Sequence, residues 1–247
     1  MPTDYSITKY FGSNLAEMLS SKILKFHPSF KSQEYINSIQ NKCDNLSYTQ
    51  RIILHANELK KYLPVEFVDA IDILMKILGD ENPNQTGMFT NYYWIMPIGK
   101  FVELYGLEDF EVSMKAIEEI TKRNTGEYAI RPFIRKYPAK TVEIMESWSK
   151  SNNFHLRRLS SEGCRPKLPW STKLDEFIDK PESVFKILAN LMEDDIKFVQ
   201  KSVANNIIDY LKVNKIEAVR FIRLYENSSN KNTQWILKHA TRKIKIN

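Results

Sequence analysis

The C-terminal part of this 247-residue chain repeats itself, and this repeat restricts the possible folds more than any other feature. A shift of 43 residues aligns PAKTVEIMESW, which begins at Pro138, with PESVFKILANL, which begins at Pro181, without a gap. The same shift aligns HLRRLSSEG (155–163) with FVQKSVANN (198–206), and a further shift of 37 residues reaches WILKHATRK (235–243). Helix pairs that recur about every 40 residues are typical of stacked helical arrays. We therefore expect helix pairs that cover one another's apolar faces.

The N-terminal part also has the pattern of helices. Ile71, Leu74, Met75 and Leu78 are spaced as one face of a helix. We predict helices over residues 13–26, 33–42, 48–62 and 65–78. The polar segment GDENPNQTG (79–87) is rich in turn formers and separates these helices from the rest.

The turn-forming residues are too few for a β-sandwich or barrel, since the chain has only 7 Gly and 10 Pro. The prediction is an all-α fold, a HEAT-like helical-repeat solenoid with a concave basic groove. It forms a single domain over residues 1–247, with N-terminal helices in 1–80 and the repeats that carry the site in 88–247.

Composition limits the classes of function. The net charge of +6 and pI of about 9.1 permit a polyanionic partner without requiring one. Cys43 and Cys164 form no CxxC motif, and we find neither a signal peptide nor a run of about 18 apolar residues. We expect a reduced, soluble, cytoplasmic protein that does not engage membranes. The histidines and cysteines lack metal-ligand spacing and no phosphate-binding glycine loop is present, so neither a metal nor a cofactor is predicted.

The segment FHLRRLSSEGCRPKLPW (Phe154–Trp170) concentrates charge beside an aromatic residue. In a helix, Arg158 and Glu162 share a face, and Gly163 can end that helix. Two prolines then favour an extended path up to Trp170. Two interpretations are open: a site for a phosphodiester and a base, or a surface Arg–Glu pair followed by a tryptophan in the core.

The repeat places cations at one level of successive helix pairs. Arg158 aligns with Lys201 and Lys238, and Glu162 aligns one turn later with Arg242. Such cations match a DNA backbone, although they could equally be solvated side chains on the surface. Because Glu162 and Asp209 would weaken DNA binding, we expect these acids to have another role.

Three consecutive aromatic residues, Tyr92, Tyr93 and Trp94, open the helix that follows the polar segment. They cannot all face one core. One of them therefore either points toward a ligand groove or packs the helix against its neighbours.

Four motifs together resemble a known family. They are EYAIRPFIRKYP (127–138), RRLSSEGCRPKLPW (157–170), KSVANNIIDYLK (201–212) and WILKHATRK (235–243). They are similar to motifs of the HEAT-like-repeat DNA alkylation repair glycosylases, in the AlkC branch of the AlkC/AlkD superfamily. The N-terminal half fits this family in helical character and length. The resemblance implies a monomeric, cofactor-independent enzyme that hydrolyses the N-glycosidic bond of cationic N-alkylated bases, such as N3- or N1-methyladenine, in double-stranded DNA.

The resemblance also implies a site. The family's catalytic positions fall on Glu127, Glu162, Trp170 and Asp209. Glu127 and Asp209 are expected beside the deoxyribose and the attacking water, and Trp170 against the sugar or the cationic base. Glu162 either joins these acids or holds nearby arginines. The candidate phosphate contacts are Arg131, Arg158, Arg165, Lys201, Lys238 and Arg242.

Other interpretations are a catalytically inactive HEAT-like nucleic-acid-binding protein and a protein-interaction scaffold. The presence of all three acids and of Trp170 argues against the inactive form. Some members of the family carry an immunoglobulin-like segment after the repeats. The sequence ends at Asn247 without one, so we expect this form to engage DNA with the repeats alone.

Overall fold

The structure, a computed structural model, describes residues 7–86 and 91–242. Within these ranges the regular secondary structure is entirely helical, which confirms the all-α prediction. None of the described helices has the length and apolar character needed to cross a bilayer. The α-helices are α1 (Ser13–Ile23), α2 (Ser32–Lys42), α3 (Tyr48–Tyr62), α4 (Phe67–Lys76), α5 (Met96–Tyr105), α6 (Phe110–Thr121), α7 (Arg131–Lys136), α8 (Pro138–Trp148), α9 (Phe154–Gly163), α10 (Asp175–Asp179), α11 (Glu182–Leu191), α12 (Lys197–Val213), α13 (Lys215–Arg223) and α14 (Lys231–Thr241).

The chain forms two compact units. The first contains Met1–Asn82 and Gly87–Thr125, and the second contains Pro83–Thr86 and Gly126–Asn247. Helices α5 and α6 therefore group with the N-terminal helices, although the sequence suggested a division near residues 80–88. The single-domain assignment stays a prediction. The predicted polar loop is non-helical from 79 to 86, and residue 87 lies outside the described ranges.

The first unit contains the four predicted N-terminal helices as α1 to α4. Helix α3 has the predicted bounds, because Ser47 and Gln50 form a reciprocal capping box at its start. The aromatic residues that precede α5 pack within this unit. Trp94 is buried beneath the ammonium group of Lys22, which lies 4.3 Å from the ring centroid, and the Tyr93 ring contacts those of Tyr10 and Phe11. Packing is therefore the role that the structure gives to Tyr93 and Trp94.

The second unit contains the repeat. Helices α8 and α9 correspond to α11 and α12, and α14 covers the third copy of the second helix. Helix α12 packs against both α9 and α14, with Val199, Val203, Ile207 and Tyr210 buried along it. The segments that join one helix pair to the next differ in length. Only Asn214 separates α12 from α13, whereas residues 164–181, including the short α10, separate α9 from α11. This insertion carries Trp170.

Candidate functional site

Three acids and two arginines of the second unit form one chain of ion pairs, here called the acid–arginine network. Its order is Glu127, Arg158, Glu162, Arg165 and Asp209. Glu127 lies in the turn before α7, the next two residues lie on α9, Arg165 follows α9, and Asp209 lies on α12. The repeat packing of α9 against α12 therefore joins side chains that are far apart in the sequence.

The arginines bridge neighbouring acids through three short hydrogen bonds and one longer ion pair. Arg158 Nη1 donates to Glu127 Oε2 at 2.9 Å, and its Nη2 lies 3.7 Å from Glu162 Oε1. Arg165 donates from Nη1 to Glu162 Oε1 at 2.7 Å and from Nε to Asp209 Oδ2 at 2.8 Å. All three carboxylates are buried. When they are ionised, three negative charges face two positive charges, so the network carries one excess negative charge.

The two acids bonded to Arg165 differ in their affinity for a proton. Burial alone would raise the pKa of Glu162, but Arg158, Arg165 and the Ser202 hydroxyl together hold that pKa below its usual value. Ser202 donates to Glu162 Oε2 at 2.6 Å, so both carboxylate oxygens of Glu162 accept hydrogen bonds. Burial raises the pKa of Asp209 above its usual value even though Arg165 donates to it. Asp209 is therefore the stronger proton acceptor of the pair.

Trp170 projects into solvent from the insertion. The residue is 94% exposed, so the interpretation as a core tryptophan is wrong. Its φ is 56°, in the left-handed region, where a non-glycine residue costs about 1–2 kcal/mol. Tyr128 follows Glu127 in the sequence, and its hydroxyl donates to the Pro169 carbonyl at 3.3 Å. An aromatic face is thus displayed by a segment that is bonded to the turn carrying one of the acids.

Arg131, a predicted phosphate contact, is buried in the protein interior. It is 1% exposed, and its Nη1 donates to the carbonyls of Gly163 at 3.1 Å and Arg165 at 2.9 Å. Its Nη2 donates to the Thr172 carbonyl. The buried guanidinium therefore does not make the predicted contact with DNA. It hydrogen-bonds instead to both ends of the segment that carries Trp170.

The other predicted cations fall into two groups. Arg158 and Arg165 are largely buried in the acid–arginine network, because acids flank each of them. The exposed cations are Lys201 on α12, Lys238 on α14 and Arg242 directly after α14. Arg158, Lys201 and Lys238 are aligned by the repeat as predicted. Because Arg158 is enclosed by acids, the three do not form a continuous row of exposed cations.

Sequence reasoning missed three residues beside the exposed cations: Lys197, Trp235 and His239. Lys197 Nζ lies 3.5 Å from the centroid of the Trp235 ring, and the Trp235 and His239 rings stack at 4.8 Å and 25°. The signal available in the sequence was the spacing of Lys197 four residues before Lys201. We call Lys197, Lys201, Lys238, Arg242, Trp235 and His239 the α12–α14 basic cluster.

Over residues 7–86 and 91–242, no three His, Cys, Asp or Glu side chains are placed to hold a metal ion. In the acid–arginine network, guanidinium groups occupy the spaces between the carboxylates.

The fold and the site define a helical-repeat protein with a buried, net-acidic cluster and a separate group of exposed cations. The profile of the family described as DNA alkylation repair enzyme matches residues 103–244, more than half of the chain. The chain belongs to that family, and the resemblance seen in the motifs is confirmed.

Two relatives cover almost the whole chain. The uncharacterized protein YhaZ of Bacillus subtilis (strain 168) is 30% identical over 239 residues, which are 96% of this chain and 64% of the relative. The solved structure of the Pseudomonas fluorescens alkylpurine DNA glycosylase AlkC, bound to DNA containing an abasic site analog, is 29% identical with a TM-score of 0.85. That match also covers 96% of this chain and 64% of the other. The helical-repeat fold is thereby confirmed, and the chain spans just under two thirds of the length of each relative.

Proposed function

We propose that this chain is a DNA repair glycosylase that hydrolyses the N-glycosidic bond of cationic N-alkylated bases, of the N3- or N1-methyladenine kind, in double-stranded DNA. The observation that carries the proposal is the acid–arginine network, which holds three buried carboxylates with one excess negative charge. Membership of the DNA alkylation repair family and similarity to an alkylpurine DNA glycosylase support it.

The proposed chemistry requires a negative environment more than an acid catalyst. An alkylated base that already carries a positive charge leaves with the electrons of the N-glycosidic bond and becomes neutral. The deoxyribose then becomes positively charged, and fixed carboxylates stabilise this transition state more than the ground state. A water molecule adds its oxygen to the sugar and gives up a proton, which leaves an abasic site.

The roles of the three acids follow from their different surroundings. Asp209 accepts the proton of the attacking water, because its pKa is raised and, within the described chain, its Oδ1 accepts no hydrogen bond. Glu127 lies beside the sugar. Glu162 has both oxygens engaged and keeps Arg158 and Arg165 in place. The exposed Trp170 ring contacts the sugar or the cationic base, where an aromatic face contributes about 0.5–2 kcal/mol.

The proposed partner is duplex DNA, bound by a monomer. Lys201, Lys238 and Arg242 are the proposed phosphate contacts, because they are exposed and form no ion pair within the described residues. Such contacts position the duplex without reading its sequence.

The test uses methylated duplex DNA and identifies the released bases by chromatography. Asp209→Ala and Glu127→Ala should each lower excision by about 100-fold or more, because a catalytic base or a fixed charge at the reacting centre is lost. Affinity for undamaged duplex should change by less than about threefold, about 0.7 kcal/mol. Asp209→Asn and Glu127→Gln keep the shapes of the side chains and control for folding.

Glu143→Ala, at an exposed position on α8, is the matched control and should excise as the wild type does. Wild-type rates in both Asp209 and Glu127 variants would remove the catalytic assignment. Binding of duplex without any release of a base by the wild type would favour the inactive nucleic-acid-binding protein instead.

A further inference from the structure

We propose that the α12–α14 basic cluster is a phosphate-binding site for the DNA backbone and that His239 takes up a proton when the phosphate binds. This inference rests on the proposed function, because it takes duplex DNA as the partner. It adds three residues to the binding surface, Lys197, Trp235 and His239, and it couples DNA affinity to pH.

The cluster concentrates positive charge without an internal counter-charge. Lys197 and Lys201 are one helical turn apart on α12, Lys238 lies on α14, and Arg242 directly follows the end of α14. The two helices pack against each other and all four cations are exposed. No carboxylate forms an ion pair with them in the part of the chain that the structure describes. An anion from outside the protein is what would neutralise them.

His239 lies within this field. Its ring stacks on that of Trp235, and Lys197 Nζ lies over the same indole. The charged groups that act on the ring from α12 are Lys197 and Lys201, and the one from α14 is Arg242, with Lys238 preceding His239 in the chain. Burial is the largest cause that lowers the pKa of His239 below 6.5, and repulsion by these three cations is the next. The imidazole is therefore neutral at neutral pH in the free protein.

A phosphate group reverses the effect of the cations. It cancels their repulsion of a second ring N–H proton and offers acceptor oxygens to the imidazolium, both of whose ring nitrogens donate. The ring then binds a proton as the phosphate binds, and by linkage the affinity for the phosphate rises as the pH falls. Simple lysine contacts would not couple binding to pH in this range.

Part of the cluster lies on the same helix as the proposed catalytic residue Asp209. Lys201 precedes Asp209 by eight residues on α12, which is about 12 Å along the helix axis. With a rise of about 3.4 Å per nucleotide, this separation corresponds to roughly three to four nucleotides. A lesion at the acid–arginine network would therefore leave a nearby backbone phosphate within reach of the cluster.

The test is calorimetric titration of the full chain with an undamaged 20-base-pair duplex at pH 6.5, in two buffers that differ in their enthalpy of ionisation. We expect the wild type to take up a proton, up to one per complex. His239→Gln should abolish the uptake, and the control His27→Gln, at a half-buried loop position in the other unit, should retain it.

A second variant provides an independent check. Lys201→Gln removes one of the cations that depress protonation, so the free protein already holds part of the proton and the uptake should decrease. Lys231→Gln, exposed at the start of α14, is the matched control and should leave the uptake unchanged. Circular dichroism of each variant confirms folding.

The outcomes separate this inference from the proposed function. Equal uptake by wild type and His239→Gln, or binding without uptake, would overturn the proton-linked site while excision of methylated bases stands. Loss of uptake in His239→Gln by a protein that releases no methylated base would leave the phosphate site standing and remove the glycosylase. Absence of duplex binding would remove both.

Discussion

At the scale of single residues, the same side-chain type has different roles according to its neighbours. Arg131 and Arg158 were both expected to contact DNA. The first is surrounded by backbone carbonyls and the second by two carboxylates. Similarly, Glu162 and Asp209 share one arginine, yet the pKa of the first is lowered and that of the second is raised. Burial raises the pKa of both acids, but two arginines and the Ser202 hydroxyl act against it at Glu162, whereas Arg165 is the one arginine that does so at Asp209.

Trp170 shows a conflict between stability and the proposed activity. Trp170 is 94% exposed and its backbone has a left-handed φ of 56°. Trp170→Gly should therefore not destabilise the fold, because glycine relieves about 1 kcal/mol of strain and little packing is lost. Excision should fall by about tenfold or more through loss of the ring contact. Denaturant unfolding and the base-release assay measure the two effects, and Trp170→Phe, which retains a ring, should recover part of the activity.

His55 gives the first unit a pH-dependent stability. Its Nε2 lies 3.4 Å from the Phe11 carbonyl, which can only accept, so Nδ1 accepts from the Tyr35 hydroxyl at 2.7 Å. Burial lowers the pKa of His55 to about 4. The unfolded chain binds the proton more readily, so stability from this neutral histidine is present above pH 6.5 and is lost as the pH falls toward 4. The loss is on the order of 3 kcal/mol.

His55→Gln, which does not titrate, should flatten the dependence of the free energy of unfolding on pH between 6.5 and 4. The matched control is His27→Gln in the same unit, which should retain the wild-type slope. An unchanged slope in His55→Gln would contradict the assignment.

At the scale of elements, the insertion between α9 and α11 distinguishes the first repeat from the next. Gly163 ends α9 where the Cβ of any other residue would lie 2.8 Å from the Ile130 side chain. The segment that follows is held by the guanidinium of Arg131 at three carbonyls. An ordered backbone here is the condition for displaying an exposed tryptophan in one orientation.

Arg131→Met should loosen this segment, because three carbonyls lose their donor at about 1–3 kcal/mol for a buried unsatisfied group. Hydrogen exchange of the amides in residues 164–173 should accelerate by about tenfold or more. Arg135→Met is the matched control: Arg135 is exposed and bonds only Thr172 and Lys173 in this segment, so its loss should have a smaller effect. Equal protection in Arg131→Met and wild type would show that other contacts order the insertion.

At the scale of the whole molecule, the net charge of +6 is modest and its placement matters more than its size. The acid–arginine network neutralises two arginines, whereas the cations of the α12–α14 basic cluster form no ion pair within the described residues. A protein-interaction scaffold would not need this separation. The dependence of DNA affinity on salt distinguishes these functions.

The slope of log affinity against log salt concentration should become less steep by about 0.9 for each phosphate contact removed. Lys201→Gln and Lys238→Gln should each show this decrease. Lys215→Gln, exposed at the start of α13, should not. Fluorescence anisotropy over a salt series measures the slopes, and unchanged slopes in both variants would place the phosphate contacts elsewhere on the protein.

The sequence by itself determined the helices and the repeat, whereas the choice of the three acids came from the resemblance to a family and stays a prediction. Helical periodicity and capping depend on residues within one or two turns, which is why α3 was predicted with its observed bounds. The spacing of 43 residues placed Arg158 and Glu162 on the helix that packs against the helix of Lys201 and Asp209. Both results need only local pattern and the requirement to bury apolar faces.

Only the tertiary structure decided which charges meet. Arg158 pairs with Glu127 across 31 residues, Arg165 pairs with Asp209 across 44, and Arg131 bonds a carbonyl 41 residues away. These choices depend on burial and on distances between helices, because a guanidinium removed from water takes the nearest acceptors that complete its hydrogen bonds. The sequence could name the charged residues, but it could not show which of them would face solvent.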